Sequence, residues 1–363
     1  MTGSPTMIDL FAGCGGLTQG FVDQGFVPVA GSEWDLSAAA TFAANFGEGH
    51  MTYGDIADFT DVPIADVVVG GPPCQGFSNL GTRDPDDPRN QLWREYMRVV
   101  EEANPQVFVL ENVDRFSKSS EFELLMDELN GGRLRAWKDV TWSVLNAANY
   151  GVPQRRNRTI VIASRVGPIG LPTPTHSVDG AEGTKRWTSV RSAIHRVPDW
   201  PETTALPASK VEMFGETVPG IFKSHEIHLG RNPTELSKLR YDCIPPGGGR
   251  FDLPDELMPD CWARKPTGTT DVMGRMRWEA PSLTIRTEFY KPEKGQYLHP
   301  QWDPDDPDNR VNRPITHREA ALLQTFPSSF LWCGSKIDIA KQIGNAVPPR
   351  LAGAVARQIA SRL

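Results

Sequence analysis

The alternation of short apolar runs with helix-like segments constrains the fold of this chain more than any other feature. Strand-like runs have the sequences TMIDLF, VPVAGSEWD, ADVVVGG and QVFVLENV, and a segment of helical composition follows each of them. Two more strand-like segments, TWSVLNAANYGVPQ and RTIVIAS, come later. Strands that alternate with helices predict a parallel sheet with helices on both faces. We therefore predict an α/β fold with a doubly wound sheet.

The pattern changes near Ser164, and the sequence up to about Arg313 is rich in proline and glycine. We predict a smaller, irregular β and loop domain for this stretch. Regular structure is expected again at THREAALLQTF, where Thr316 and Glu319 have the spacing of a helix capping box, and in one more helix at the end of the chain. The predicted division is 1–170, 171–312 and 313–363, with the last part returning to the first domain.

Charge gives conflicting indications about a nucleic-acid partner. The net charge is −7, which on its face argues against one. Residues 151–316, however, hold 23 Lys and Arg against 21 Asp and Glu, so the excess acid lies outside the middle of the chain. A nearly neutral solvated surface would explain that balance equally well.

The remaining bulk features predict a cytoplasmic protein. No apolar run approaches the ~18 residues that span a bilayer, and the first residues do not resemble a secretory leader. The five cysteines lack the spacing of a zinc site or a disulfide framework, which favours a reducing compartment and no metal.

A glycine turn follows the first predicted strand in DLFAGCGG. Gly13, Gly15 and Gly16 allow a tight turn that a ligand can approach closely. Glu33 lies 20 residues after Gly13, at the end of the second strand, where an acid can bind ribose hydroxyls, and Trp34 could stack on a purine. The GxGG pattern favours a nucleoside cofactor without a pyrophosphate. The alternative is a tight turn that binds nothing.

A cysteine sits on a stiff turn at the end of the third strand. Pro72 and Pro73 fix the approach to Cys74, and a rigid, positioned thiol suits a nucleophile. A lone cysteine can equally be a small buried apolar residue. Glu111 ends the fourth strand near the same edge, where burial would raise its pKa into a range useful for acid–base chemistry.

An arginine-rich segment, QRRNR, precedes RTIVIAS. If this segment is extended, Arg156 and Arg158 point the same way. They could bind a phosphate or anchor the glutamate. A solvated basic run is the alternative.

Taken together, the ordered blocks resemble the bacterial DNA (cytosine-5) methyltransferases. The blocks are DLFAGCGG, SEWD, GDI, GGPPCQGFS, LENV, GVPQRRNR, THREAALLQTFP and QIGNAVPP, and they span almost the whole chain. Each block is weakly specific, but PPCQ, ENV, QRRxR and QIGNAVPP together are very specific. The resemblance implies a Rossmann-like class I methyltransferase fold with a target-recognition domain in the irregular region.

The resemblance also implies a reaction and the residues that perform it. S-adenosyl-L-methionine would donate a methyl group to C5 of a cytosine flipped out of duplex DNA, leaving S-adenosyl-L-homocysteine. Cys74 would add to C6, Glu111 would bind the N3 and N4 edge, and Arg156 and Arg158 would support the glutamate and the flipped nucleotide.

Further residues are assigned through the same resemblance. Those expected at the cofactor are Phe11, Gly13, Cys14, Gly16, Glu33, Trp34, Asp55, Ile56, Pro73, Leu92, Asn345 and Ala346. Those expected at the DNA target are Gln75, Ser78, Thr284 and Ile285. Basic residues of the irregular region that are candidates for base contacts are Arg231, Arg250, Arg264, Lys265, Arg275 and Arg277. The family default is a monomer in a bacterial cytoplasm, at the nucleoid, with or without a cognate restriction endonuclease.

Two alternatives remain open at this point. One branch of the family methylates cytosine in transfer RNA, although its usual Cys-Phe-Thr tripeptide is absent here. The other is a catalytically silent DNA-binding homologue, against which the presence of Cys74 and Glu111 argues. A thymidylate-type enzyme also uses cysteine addition to C6, but it would leave the glycine turn and Glu33 without a role.

Overall fold

The structure, a computed structural model, describes residues 3–73, 88–181, 183–264 and 267–363. Within this part of the chain, seven strands form one sheet in the order β3-β2-β1-β4-β5-β7-β6. The strands are β1 Thr6–Leu10, β2 Val27–Glu33, β3 Met51–Tyr53, β4 Val67–Gly70, β5 Val107–Val113, β6 Asp139–Asn146 and β7 Asn157–Ser164. Strands β1 to β5 pair in parallel, whereas β7 is antiparallel to both neighbours. The predicted α/β sheet is confirmed, but it is mostly rather than wholly parallel, and β3 was not predicted.

The central strands are buried on both faces. Met7, Val67 and Val69 belong to the core on one face, and Ile8 and Val68 belong to the core on the other. This explains why the sequences of these strands are continuously apolar and do not alternate between apolar and polar residues. The helices of this part are α1 Gly16–Val22, α2 Leu36–Phe46, α3 Pro88–Ala103 and α4 Ser120–Asn130.

The strand order reverses between β1 and β4. From β1 the chain builds β2 and β3 on one side, and then β4 and β5 on the other. In an open α/β sheet the loops at such a point diverge and leave a crevice at the carboxyl ends of the strands. The glycine turn after β1 and the two prolines after β4 lie at this edge.

The middle of the chain has little regular structure, as predicted. Its strands are β8 His176–Ser177, β9 Lys185–Arg186, β10 Lys210–Met213, β11 Glu216–Pro219, β12 Gly274–Arg275 and β13 Gln296–Leu298. Its helices are α5 Val190–Ile194, α6 Glu235–Asp242 and α7 Asp260–Ala263. The 3-10 helices of the described chain are Glu48–His50, Ile56–Asp58, Asp114–Lys118, Ala147–Tyr150, Arg250–Asp252, Asp255–Leu257, Pro292–Lys294 and Pro307–Asn309.

The carboxyl-terminal part contains α8 His317–Leu323, α9 Lys336–Asn345 and α10 Pro349–Ala360. The capping box is confirmed, because the Glu319 N–H bonds Thr316 Oγ1 and the Thr316 N–H bonds Glu319 Oε2. The prediction of a single final helix was wrong, because α9 ends at Asn345 and α10 begins only at Pro349, after its N-cap Pro348. Helix α10 packs against α1 so closely that a Cβ at Gly20 would lie 2.3 Å from the Pro349 carbonyl.

No described helix has the length and apolar composition needed to cross a membrane.

Candidate active site

The glycine turn after β1 is held by a carboxylate from the end of β2. Phe11, Gly13 and Gly15 all have positive φ, so the backbone makes a tight turn directly after β1. Glu33 Oε2 accepts the Gly13 N–H at 2.8 Å, and Oε1 accepts the N–H groups of Trp34 and Asp35 at 3.1 and 2.9 Å. A carboxylate has about four acceptor positions, so three backbone bonds leave one free for a ligand hydroxyl. Burial raises the pKa of Glu33, against the effect of these bonds.

Two further predicted cofactor residues flank Glu33. The Trp34 side chain is 80% exposed, and its indole is available for stacking. Asp55 follows β3 at the same edge, is exposed, and accepts the Ala57 N–H at 3.0 Å. Ile56, by contrast, is buried in the core below this edge.

The carboxyl-terminal motif QIGNAVPP contacts the glycine turn. A Cβ at Gly16 would lie 2.5 Å from the Val347 carbonyl and 3.2 Å from Ala346 Cβ, so this contact requires glycine. Asn345 is exposed at the end of α9, directly before Ala346.

Other predicted cofactor residues contribute differently. The Cys14 side chain is buried 3.8 Å from the Gln342 carbonyl, and burial raises the pKa of its thiol. Cys14 can therefore offer a ligand only its backbone. Phe11 and Leu92 pack partly against the core, and Pro73 is exposed.

An acid and an arginine meet at the carboxyl end of β5. Arg158 Nε lies 2.6 Å from Glu111 Oε1. A Cβ at Gly71 would lie 2.9 Å from Glu111 Oε2, so glycine leaves room for the carboxylate. Asn112 Nδ2 donates to the Pro72 carbonyl at 2.9 Å and ties β5 to the proline turn. Cys74 follows that turn and, with Gln75, Ser78 and Lys265, lies outside the described residues.

Glu111 is buried, and this burial raises its pKa, while the charges of Arg158 and Arg156 lower it. The net direction is upward. Burial in this environment therefore favours the protonated form of the carboxyl group.

Arg156 has a different environment from the one predicted. Its side chain is almost fully buried, and Nη1 donates to the Ile285 carbonyl at 2.9 Å. Nη2 donates to the carbonyls of Gly344 and Asn345 at 2.8 and 3.3 Å. The guanidinium therefore ties β7 to the middle region and to α9, and it acts on Glu111 through its charge rather than by a hydrogen bond.

Thr284 and Ile285 lie against the arginine segment. Thr284 Oγ1 donates to the Arg155 carbonyl at 2.9 Å, and Gln154 Oε1 accepts the Ile285 N–H at 3.0 Å. The Ile285 side chain is fully buried and is not available to a base edge.

Sequence reasoning missed a buried pair of amides below this element. Gln154 Nε2 donates to Gln324 Oε1 at 2.9 Å, and Gln324 Nε2 donates to the Ile343 carbonyl at 2.6 Å. Both glutamines stand in the quoted blocks, but nothing in the sequence distinguishes them from exposed amides. The suggestion of a base contact was wrong for Arg275, which is fully buried and donates to the carbonyls of Tyr241, Ile244, His299 and Val311.

Sequence reasoning also missed a buried carboxyl group in β1. Asp9 Oδ2 accepts the Thr18 hydroxyl at 2.6 Å, whereas the buried Oδ1 has no hydrogen-bond partner. Burial raises the pKa of Asp9 to about 7.

We expect Asp9 to make stability fall as pH rises. Between pH 4 and 7 the unfolded chain loses this proton while the folded chain keeps it, so folding is favoured at the lower pH. From pH 5 to pH 8 the Asp9→Asn variant should gain on the order of 2 kcal/mol relative to the native chain. Urea unfolding at both pH values measures this gain. Asp61→Asn, at an exposed site, should show no such difference, and equal pH profiles for all three proteins would contradict the assignment.

The described part of the chain thus forms an α/β enzyme of Rossmann-like fold, with the Glu33-bound glycine turn and an acid–arginine pair at one edge of the sheet. The model of the C-5 cytosine-specific DNA methylase family matches residues 5–361. The chain belongs to this family and is a DNA (cytosine-5) methyltransferase.

Individual relatives agree with this assignment. The type II methyltransferase M.XorII of Xanthomonas oryzae is 34% identical over 99% of this chain and 85% of its own length. The type II methyltransferase M1.HphI of Haemophilus parahaemolyticus is 32% identical over 98% and 87%. A solved structure of a prophage-encoded DNA modification methyltransferase from E. coli aligns with a TM-score of 0.70 over 99% of both chains at 23% identity, which supports the fold.

Proposed function

We propose that this enzyme transfers the methyl group of S-adenosylmethionine to C5 of a cytosine flipped out of duplex DNA. The observation that carries the proposal is the buried Glu111, which pairs with Arg158 and lies against Gly71, three residues before Cys74. The raised pKa of Glu111 suits a group that hydrogen-bonds N3 of the base while charge develops there.

The chemistry assigns each residue one task. The Cys74 thiolate adds to C6, and the electron pair of the C5–C6 double bond becomes available at C5. Glu111 donates to N3 and limits the charge on the ring. The bound cofactor supplies an electrophilic methyl group. After methyl transfer, a base removes the C5 proton, and the returning electron pair expels Cys74 as thiolate. The target base must leave the helix first, since a thiol cannot reach C6 of a stacked cytosine.

The residues around the glycine turn fit the cofactor. Glu33 has one acceptor position left for a ribose hydroxyl, and the exposed Trp34 ring can cover the adenine. Asp55 would meet the adenine edge. The backbone of Gly13 is open, since a Cβ there would contact nothing within 4 Å. We assign Phe11, Gly16, Pro73, Leu92, Asn345 and Ala346 to the rest of the pocket, and Cys14 and Ile56 to it through their backbones.

We expect Trp34→Ala to weaken cofactor binding by about tenfold to a hundredfold, since stacking on an aromatic side chain contributes ~1–3 kcal/mol. Calorimetric titration with S-adenosylhomocysteine measures the affinity. Trp200→Ala, at another exposed tryptophan, is the matched control. Equal affinities of the two variants would remove Trp34 from the site.

We also propose the division of the chain into catalytic parts 1–170 and 313–363 and a target-recognition part 171–312. A separate small core of Tyr241, Ile244, Leu253, Met273 and Leu298 supports a distinct middle unit. The relatives are named type II methyltransferases, which supports a role in restriction and modification, with or without a cognate endonuclease. We assign target recognition to Thr284, Gln75 and Ser78, with Ile285 as the buried support of Thr284.

The test is transfer of labelled methyl from S-adenosylmethionine to mixed-sequence duplex DNA, with bulk transfer RNA in parallel. We expect label in DNA, at 5-methylcytosine within one short recurring sequence. Cys74→Ser should abolish transfer and spare cofactor binding, whereas Cys261→Ser, at an exposed free cysteine, should retain transfer. Label in transfer RNA alone would overturn the DNA substrate, and turnover by Cys74→Ser would overturn the covalent mechanism.

A further inference from the structure

A segment of the middle region, residues 175–187, is fixed on the 3-10 helix Ala147–Tyr150. The Thr175 N–H bonds the Asn149 carbonyl at 2.9 Å, and Trp187 Nε1 bonds Asn149 Oδ1 at 2.9 Å. The two ends of the segment are joined to each other, because Lys185 N donates to the Thr175 carbonyl and Trp187 N donates to the Ser177 carbonyl. The backbone of Lys185 and Arg186 is therefore held in place.

Helix α10 completes the surroundings of this segment. Arg350 Nη1 donates to the Gly151 carbonyl at 2.6 Å. A Cβ at Gly151 would lie 2.8 Å from the His176 ring, so this imidazole lies against the same backbone. Burial has the largest effect on the pKa of His176 and lowers it. Lys185 and Arg350 are both close enough to lower it further. The positive charges of Lys185 and Arg350 therefore both act on His176.

Among the described residues, no carboxylate forms an ion pair with the cations of this cluster. In the described part of the chain, Lys185, Arg186 and Arg350 are exposed and form no ion pair within 4 Å. Asp179 is near Arg186, but its carboxylate accepts the Ser177 hydroxyl and the Ala181 N–H. Like charges held close together cost stability unless opposite charges offset them. In a chain of net charge −7, such a cluster indicates an anionic ligand.

The cluster lies at the same edge of the sheet as the acid–arginine pair. Because β7 is antiparallel to both β5 and β6, the ends of β5 and β6 point to one edge. Arg158 pairs with Leu145, two residues before the 3-10 helix that carries the segment. A strand of DNA that enters the cleft at Glu111 would continue past this edge.

We propose that Lys185 and Arg186, with Arg350 and His176, bind the sugar-phosphate backbone of duplex DNA beside the flipped cytosine. The proposal rests on the proposed function. Lys185 and Arg186 supply charge to two phosphates, and the anchored backbone reduces the entropy lost on binding. Each neutralised phosphate releases counterions, which makes the contact dependent on salt.

The test is DNA binding by the double variant Lys185→Ala/Arg186→Ala. Fluorescence anisotropy with a labelled duplex of about 30 base pairs, in the presence of S-adenosylhomocysteine, gives the affinity at several salt concentrations. We expect the slope of log K against log salt to fall in magnitude by about 1.8, because each lost phosphate contact removes ~0.9. At 100 mM salt the affinity should fall by roughly tenfold or more, while the affinity for S-adenosylhomocysteine stays unchanged.

Two control variants distinguish the effect of where the cations lie from the effect of removing positive charge. Lys210→Ala/Arg362→Ala removes one Lys and one Arg from exposed sites, on the β10–β11 hairpin and at the end of α10, and should keep the native slope. Lys185→Arg/Arg186→Lys keeps the charge and should restore the native slope. A slope for Lys185→Ala/Arg186→Ala equal to that of the distant pair would overturn the proposal while methyl transfer still stands. A native chain that binds no duplex DNA would overturn both.

Discussion

Glu111→Gln is expected to lower the rate of methyl transfer by about 10²- to 10⁴-fold, the usual contribution of a positioned acid or base. Glutamine keeps the shape and can bond Arg158, but it cannot deliver a proton to N3 of the cytosine. The carboxyl group is buried, and this burial raises its pKa. Burial therefore favours the protonated carboxyl group of the native side chain, which can donate a proton, whereas the amide cannot.

Single-turnover transfer to DNA, with saturating enzyme and cofactor, isolates this step. Glu123→Gln, at an exposed position of α4, is the control and should transfer at the native rate. Cofactor affinity should be the same in all three proteins, because the Glu111 carboxylate pairs with Arg158, whereas Glu33 is the carboxylate that binds the glycine turn. A Glu111→Gln variant within threefold of the native rate would remove the acid from the mechanism.

Most of the sheet could be predicted from the alternation of apolar runs and helices. The direction of β7 was not predicted, although the sequence contains the reason. Only residues 147–156 separate β6 from β7, and a parallel connection needs a crossover of a dozen or more residues, usually a helix. So short a link, occupied by one 3-10 turn, favours an antiparallel pair. Strand β3 was missed because Met51–Tyr53 is too short to show a pattern.

The location of a candidate site residue was predictable where its position in a strand determines which edge of the sheet it occupies. Glu33 is the last residue of β2 and Glu111 lies two residues before the end of β5, so both are at the carboxyl ends of parallel strands, where the crevice forms. The surroundings of Arg156 and Cys14 were not predictable in this way. Their partners, Gly344 and Gln342, lie more than 180 residues away along the chain. The packing of α9 therefore determines that Arg156 is a buried side chain that hydrogen-bonds to distant carbonyls and that Cys14 is a core residue.

The second large effect concerns the ion pair that holds α8. Arg313 Nη1 and Nη2 both donate to the Glu319 carboxylate at 2.8 Å, and both side chains are buried. Glu319 also accepts the Thr316 N–H of the capping box. Burial raises the pKa of Glu319, but the charge and hydrogen bonds of Arg313 outweigh it and lower the pKa to about 2.

Glu319→Gln is expected to destabilise the protein by about 3–5 kcal/mol, because it leaves the Arg313 charge buried without the carboxylate that neutralises it. Glutamine can still complete the capping box. The loss of stability is therefore due to the missing negative charge and not to a lost helix cap. Urea unfolding at pH 7 measures it. Glu235→Gln breaks an exposed pair with Lys238 and should cost about 0–1 kcal/mol.

The dependence of stability on acid pH tests the Arg313–Glu319 ion pair independently. Because the folded pKa of Glu319 is depressed, its stabilising contribution is present above about pH 4.5 and is lost as the pH falls toward 2. The native chain should lose about 3 kcal/mol over this window through Glu319, and Glu319→Gln should lack that component. Arg313→Met in the Glu319→Gln background should cost less than Arg313→Met alone, since the pair is already broken. Additive costs, or equal acid profiles, would show that the two side chains do not stabilise the fold as a pair.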